Sequence, residues 1–280
     1  MTYKEAKNFT EQALKPRVEA YKFEAEQMVC FVTNLNKNQY FCARDRELTK
    51  KEQRVLKALI AKRKRGTPLQ YLLKKWEFYG REFFVGRGVL IPRADTELIV
   101  DLALSYAREK EIKTVFDFCA GSGAIGIAVS VFLPTAQVIM VEKSKRAFGF
   151  LKKNLLLNKL SSERVSLVKK DIFRFCPKEK CDLLISNPPY IKTADMLTLS
   201  KEVKKEPKIA LDGGWDGLYF YRKITENADK YLKKGGRILF EIGFDEGQSV
   251  AEILKQNGFS NVAIAKDLDG NDRAVYGDYL

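Results

Sequence analysis

The residues best suited to chemistry in this chain of 280 residues lie where apolar runs end. Asp182-Leu183-Leu184-Ile185-Ser186 reads as a buried strand that runs into Asn187-Pro188-Pro189-Tyr190. Pro188 cannot donate to a ladder, so the strand stops and Asn187 stands at its carboxyl end. In open α/β sheets, ligands bind along that edge. An amide, two rigid carbonyls and an exposed ring are thereby presented together at the mouth of a crevice. Taken alone, an ordinary strand-to-loop turn starting at Asn-Pro reads the same way.

A second constellation precedes it. Asp117-Phe118-Cys119-Ala120-Gly121-Ser122-Gly123 is a glycine-containing turn between a strand and a helix. Missing side chains let a ligand approach the backbone there, and the helix start offers unpaired N–H groups. Glu142 and Asp171 end the next two strands. An acid at the end of the second strand, about twenty residues past the glycines, accepts from ribose hydroxyls in dinucleotide sites. Asp171 is then placed to accept from an adenine amine. Each acid alone is more often a solvated strand end, but three such features in consecutive βα units point to a nucleoside site. Such a site leaves NAD and S-adenosylmethionine as the main choices. The turn lacks the full G-x-G-x-x-G order, because position 119 is Cys and only Gly121, Gly123 and Gly126 remain.

The elements that position these residues follow a clear rhythm. Strand 114–118, the helix opening at Ala124, strand 137–141, helix 145–157, strand 165–169 and strand 182–186 alternate, which predicts a parallel sheet covered by helices on both faces. Helix 218–232, strand 237–241, helix 246–256 and closing strands near Val262 and Ala274 continue it. Thr2 to about Lys75 is instead helical, with apolar positions Phe23, Met28, Phe31, Val32, Val55, Leu56, Leu59 and Ile60. Thr49 with Glu52 is a capping-box pattern. Lys57 and the run from Lys62 to Arg65 suit either phosphate contacts or cations at a helix C-terminus. Gly66-Thr67-Pro68 breaks this pattern, and Phe83-Phe84-Val85 with Val89-Leu90-Ile91 around Gly86-Arg87-Gly88 reads as a hairpin. A helix then starts at Asp95 or Thr96, with Leu98, Ile99, Leu102 and Leu104 as its apolar face.

Composition narrows the chemistry. With no histidine, Ser-His-Asp and Cys-His schemes and imidazole general bases are excluded. Five cysteines without C-x-x-C spacing speak against a disulfide framework and a zinc site, and no metal is expected. No segment reads as a signal peptide or a membrane span, so a soluble cytoplasmic protein is expected. The net charge of +14 suits an acidic partner such as RNA, or proximity to RNA or the ribosome; Lys-rich solvated faces give the same number.

Asn187-Pro188-Pro189-Tyr190 at the end of a fourth strand resembles the signature of class I S-adenosylmethionine-dependent methyltransferases acting on planar amide or exocyclic amine nitrogens. Nearly the whole chain resembles one branch, the peptide-chain release factor glutamine methyltransferase family. The matching stretches are Arg65 to Tyr71, Glu77 to Arg81, Leu90 to Glu97, Asp117 to Gly126, Glu206-Pro207, Ala210 to Gly214 with Asp216 to Leu218, Glu241-Ile242-Gly243, and Asp267 to Gly277. Residues 1 to about 60 carry no distinctive match. Cys119 replaces the usual first glycine and is expected to need a normal negative-φ backbone. Ala94 replaces a usual proline.

The resemblance implies a seven-stranded, Rossmann-like α/β methyltransferase sheet with an antiparallel strand near Arg273 to Tyr276, plus a small N-terminal helical domain. It implies a helical substrate-binding domain over 1–75, a hairpin linker over 76–95 and the methyltransferase domain over 96–280. Carried over, the cofactor contacts are Cys119, Ala120, Gly121, Ser122, Gly123, Glu142, Asp171, Ile172 and Asn187. The substrate contacts are Asn187, Pro188, Pro189 and Tyr190, with Asn187, Pro188 and Tyr190 catalytic. The implied substrate is the glutamine of the release factors' Gly-Gly-Gln loop, and the product of the cofactor is S-adenosyl-L-homocysteine. An amide nitrogen is a poor nucleophile, so Asn187 Oδ1 and the Pro188 carbonyl would accept its two N–H bonds while Tyr190 packs on the amide plane, and positioning does the work without a general base. A ribosomal-protein glutamine, an adenine amine in nucleic acid, and a non-catalytic RNA-binding role are the competing readings; the second normally needs a base-flipping pocket and a target-recognition region.

Overall fold

The computed structural model describes residues Met1–Leu280, which divide into two compact units, Met1–Lys74 with Ser200–Lys205, and Lys75–Leu199 with Glu206–Leu280.

The first unit is built from helices α1 (Tyr3–Leu14), α2 (Tyr21–Thr33), α3 (Lys37–Ala43), α4 (Lys50–Lys64) and the short α5 (Leu69–Leu73). Three of them open on capping boxes, Thr2 with Glu5, Asn36 with Gln39 and Thr49 with Glu52, each satisfying N–H groups the first turn leaves free. Ala6, Leu14, Ala25, Met28, Val29, Leu56 and Ile60 fill its interior. Phe23, Phe31 and Val55 remain exposed, so the helical spacing was right while the buried stripe is narrower than expected. The Arg63 guanidinium is buried and grips Glu24 with Nε and Nη2 at 2.5 and 2.8 Å, and Glu202 with Nη1 at 2.7 Å. Glu202 brings the Ser200–Lys205 segment into this unit. A buried guanidinium with two carboxylates has its charge answered, which burial otherwise penalises.

The second unit opens with an antiparallel hairpin, β1 (Lys75–Phe78) and β2 (Arg81–Phe84). This corrects the expected pairing of 83–85 with 89–91. Tyr79 and Gly80 both have positive φ, 51° and 68°, which is the type I′ geometry that two-residue hairpins need. Val89 instead packs with Val85 and Ala147 as a small core. The remaining elements are α6 (Glu97–Glu109), β3 (Thr114–Phe118), α7 (Ala124–Phe132), β4 (Gln137–Glu142), α8 (Lys145–Leu157), β5 (Val165–Lys169) and β6 (Cys181–Ser186), then α9 (Tyr219–Thr225), α10 (Ala228–Tyr231), β7 (Leu232–Glu241), α11 (Gly247–Gln256), β8 (Phe259–Lys266) and β9 (Asp272–Tyr279). The helix expected over 218–232 is thus two pieces, interrupted at Glu226 and Asn227, and its last residue already belongs to β7.

Strands β3 to β9 form one seven-stranded sheet in the order β5-β4-β3-β6-β7-β9-β8. All pairs are parallel except those of β9, which runs antiparallel to both β7 and β8 as expected. Apolar side chains of alternate parity fill a core on each face. One contains Ile99, Val100, Ile127, Leu151 and Ile185. The other contains Phe116, Phe118, Leu184, Tyr221 and Leu254. The strand order reverses between β3 and β6, where Phe118 pairs with Ser186. The glycine turn and the Asn187 tetrapeptide therefore leave the sheet side by side at the switch point, the position where such sheets bind ligands.

Candidate active site

A cavity of ≈ 240 Å³ opens at this switch point. Its walls bring together Cys119, Ala120, Gly121 and Ser122 of the turn, Glu142 from β4, Asp171 and Ile172 after β5, and Asn187 and Pro189 after β6. Gly123, Pro188 and Tyr190 do not line it. Gly123 caps α7, Pro188 is buried, and Tyr190 is half-buried against the core rather than fully exposed.

The two acids are held as acceptors. Glu142 takes the Gly121 N–H at 2.8 Å on Oε2 and the Ser144 N–H at 2.6 Å on Oε1. Burial raises its pKa, opposed by these N–H groups. Asp171 accepts from Phe173 N at 3.1 Å and pairs with Lys143 Nζ at 2.8 Å. Burial works against its charge, but Lys143 and the Phe173 N–H outweigh it and its carboxyl stays below the ordinary range. Each oxygen keeps a free lone pair for a hydroxyl or amine.

Cys119 overturns one expectation: its φ is +59°, not negative. The chain must turn sharply from β3 toward the 2.7 Å bond between Gly123 N and Ala120 O, and the left-handed conformation achieves this. That is the geometric reason a glycine suits this position.

Asp117, the first residue of the turn stretch, is a further site residue beyond the carried-over cofactor contacts. It points from β3 into the cavity lining at 1% exposure, and its Oδ2 accepts the Gly126 N–H at 2.9 Å. A Cβ at Gly126 would lie 2.7 Å from that oxygen, so only glycine lets α7 approach so closely. Oδ1 has no partner. Burial, with Glu142 nearby adding to it, pushes Asp117 up to about 7 despite the Gly126 N–H. An acid amid Val115, Phe116 and Phe118 was the available signal, since a charge in an apolar strand needs a reason. Thr96, from the 3-10 turn 94–96 before α6, also lines the cavity, and Asn187 Nδ2 lies 3.4 Å from its Oγ1. No local pattern marks that contact, which spans 91 residues. Opposite, Glu206 accepts from Ile91 N at 2.9 Å and pairs with Arg93, tying two stretches of the wall together.

Behind the tetrapeptide the backbone is strapped. Ile191 N donates to Leu211 O at 2.9 Å, and Gly213 N donates to Ile191 O at 2.8 Å. A Cβ at Gly213 would come within 2.6 Å of Tyr190 Cα and 2.7 Å of Pro189 O.

Comparison with known proteins fits this geometry. Residues 100–270 match the Methyltransferase small domain family, and residues 5–73 match the PrmC N-terminal domain family. The chain is 39% identical over 255 residues to the release factor glutamine methyltransferase of Fusobacterium nucleatum, covering 90% of this chain and 72% of that protein. It is 37% identical to the protein of the same description from Thermodesulfovibrio yellowstonii, covering 90% of each. The chain belongs to the release factor glutamine methyltransferase family.

This methyltransferase shares its fold with a ribosomal protein L11 methylase from Lactobacillus delbrueckii subsp. bulgaricus, with a TM-score of 0.50 and 18% identity over 69% of this chain and 82% of that one. The match over 5–73 includes residues up to about 60, where the sequence carries no distinctive family stretch. No helix in this methyltransferase is long and apolar enough to cross a membrane.

Proposed function

We propose that the chain uses S-adenosyl-L-methionine to methylate the side-chain amide nitrogen of the glutamine in the Gly-Gly-Gln loop of peptide-chain release factors. The observation that carries this reading is the meeting of Asn187 with Glu142, Asp171 and the Cys119–Ser122 turn in one cavity at the switch point. The chemistry of the lining supports the cofactor. Glu142 would accept from its ribose hydroxyls, Asp171 and Ile172 would hold the adenine, and the turn with Gly123 would pass beneath. The unpaired Asp117 Oδ1 suits an ammonium group, since an anion buried without a partner is satisfied by a cation. Bound there, the cofactor supplies an electrophilic methyl group on a sulfonium.

Asn187 Oδ1 and the Pro188 carbonyl would each accept one N–H of the glutamine amide, leaving the nitrogen oriented for transfer. Pro188 and Pro189 keep these acceptors rigid, and Tyr190 would pack against the amide plane. Holding two reactants in line converts an encounter into a unimolecular step, worth roughly 7–11 kcal/mol in favourable cases. No side chain needs to remove a proton beforehand. The residues before β1 would help hold the protein substrate, and the hairpin region 76–95 would link them to the catalytic sheet. The site of action is then the cytoplasm, where release factors work.

The test is direct. The protein is incubated with labelled S-adenosylmethionine and a release factor, the same factor with its Gly-Gly-Gln glutamine changed to alanine, or DNA. Label on the first alone is expected. Label on the alanine version or on DNA overturns the assignment.

A further inference from the structure

The catalytic reading asks one side of a symmetric-looking amide, Asn187, to face the substrate with its oxygen. Something must decide which end points outward. Ser186 of β6 pairs with Phe240 of β7, so Asn187 and Glu241 are the next residues of two adjacent parallel strands. Ile185 and Leu239, two residues earlier, both lie in the core that α6 covers. Asn187 and Glu241 therefore emerge on that same face, where Thr96 meets them at the entrance to α6.

Glu241 is 1% exposed and its Oε2 has no hydrogen-bond partner. Asn187 Nδ2 already turns toward Thr96 Oγ1. An ionised carboxylate has acceptors and no donor, so it can receive only the NH₂ end of an amide. We propose that Glu241 is a positioning residue whose carboxylate, with Thr96, holds Asn187 Nδ2 inward and so presents Asn187 Oδ1 to the substrate nitrogen. This rests on the function proposed above.

The surroundings make the device sensitive to protons. Burial pushes Glu241 up to about 7, opposed by the Thr96 hydroxyl, the Arg273 guanidinium and the Asn187 amide, while Asp95 pushes the same way as burial. Arg273 comes from β9 and is shared with Asp267 at 3.0 Å and Asp95 at 3.5 Å. Tyr190 and Tyr221, both phenols kept neutral by burial, also face the Glu241 charge, and Tyr221 donates its hydroxyl to the Glu241 carbonyl at 2.9 Å. Once protonated, Glu241 becomes a donor that competes for Asn187 Oδ1, and the inward-facing NH₂ loses its anchor.

The experiment compares wild type with Glu241→Gln and Thr96→Val between pH 6 and 8.5, using a release factor as substrate. It measures kcat, KM and donor Kd, and the Asn187 side-chain ¹⁵NH₂ resonances, identified by their loss in Asn187→Asp. At pH 8, Glu241→Gln is expected to lower kcat on the order of tenfold to hundredfold with donor Kd unchanged, as when a supporting hydrogen bond is lost or a group is slightly misplaced. Wild-type kcat should fall below about pH 7 and the variant's should not. The Asn187 NH₂ resonances should titrate over the same range in wild type alone. Unchanged kcat in Glu241→Gln, or NH₂ resonances that ignore pH in wild type, overturns the proposal. If the variant does not fold, the wild-type resonances decide alone. A wild type that leaves the release factor unlabelled defeats the functional reading instead, and the same resonances still judge the role of Glu241.

Discussion

Glu142 Oε2 accepts the Gly121 N–H at 2.8 Å, which joins the end of β4 to the middle of the glycine turn. One carboxylate thereby shapes the turn and faces the cavity with its remaining lone pairs. Glu142→Gln forces an NH₂ group against the N–H of either Gly121 or Ser144. Donor affinity should fall on the order of tenfold to hundredfold, the size of a charged hydrogen bond. Isothermal calorimetry checks this, and an unchanged Kd would remove Glu142 from the site.

Asn187→Ala removes the acceptor at the strand end while leaving the acids and the turn in place. Methyl transfer to a release factor should fall by at least about a hundredfold, with donor binding largely retained. Equal activity in variant and wild type would sink the proposed mechanism.

Asp117 gives a pH dependence of binding. Its carboxyl is raised to about 7 by burial, so in the free protein it carries a proton below that pH. The ammonium of the donor favours the ionised form. Affinity should therefore be greatest above pH 7 and weaken, by up to about tenfold per pH unit, as pH falls below it. Asp117→Asn should bind more weakly above pH 7 and lose this slope. A flat profile in wild type contradicts the assignment.

Cys119 pays for its conformation, since a non-glycine residue in the left-handed region costs about 1–2 kcal/mol. Part of that gain is offset in glycine by the entropy of the unfolded chain. Cys119→Gly should raise stability by about 0.5–1 kcal/mol, read as a higher urea midpoint at unchanged slope. A lower midpoint would mean that the Cys119 side chain contributes more packing than its backbone loses.

In the helical unit, Glu24→Ala leaves the buried Arg63 guanidinium with only Glu202 beside it. The loss should be about 3 kcal/mol, toward the lower end for a broken buried pair because one carboxylate remains. Replacing Arg63 by Met in the same protein should recover part of it. Chemical denaturation of the two variants checks both statements.

The strands were legible because each is an apolar run closed by a polar or proline residue, and the site acids mark their carboxyl ends. The antiparallel place of β9 came from family likeness, since periodicity carries no direction. The hairpin was displaced because Gly86 and Gly88 look like a turn, whereas the type I′ turn falls on Tyr79-Gly80. Residue type alone points Cys119 to a negative φ, while the fold imposes a positive one. Thr96 and Glu241 were invisible as partners of Asn187: their meeting depends on strand register and on where α6 begins, neither of which a local pattern encodes.

The missing imidazoles give the molecule an experimental transparency. Three buried carboxyls, Asp117, Glu241 and Glu246, are raised to about 7, and no histidine shares that range. A proton that a side chain of this protein takes up or gives off near neutrality is therefore traced to raised carboxyls such as these and not to an imidazole. Calorimetry in buffers of differing ionisation heat would then count the site's own protons.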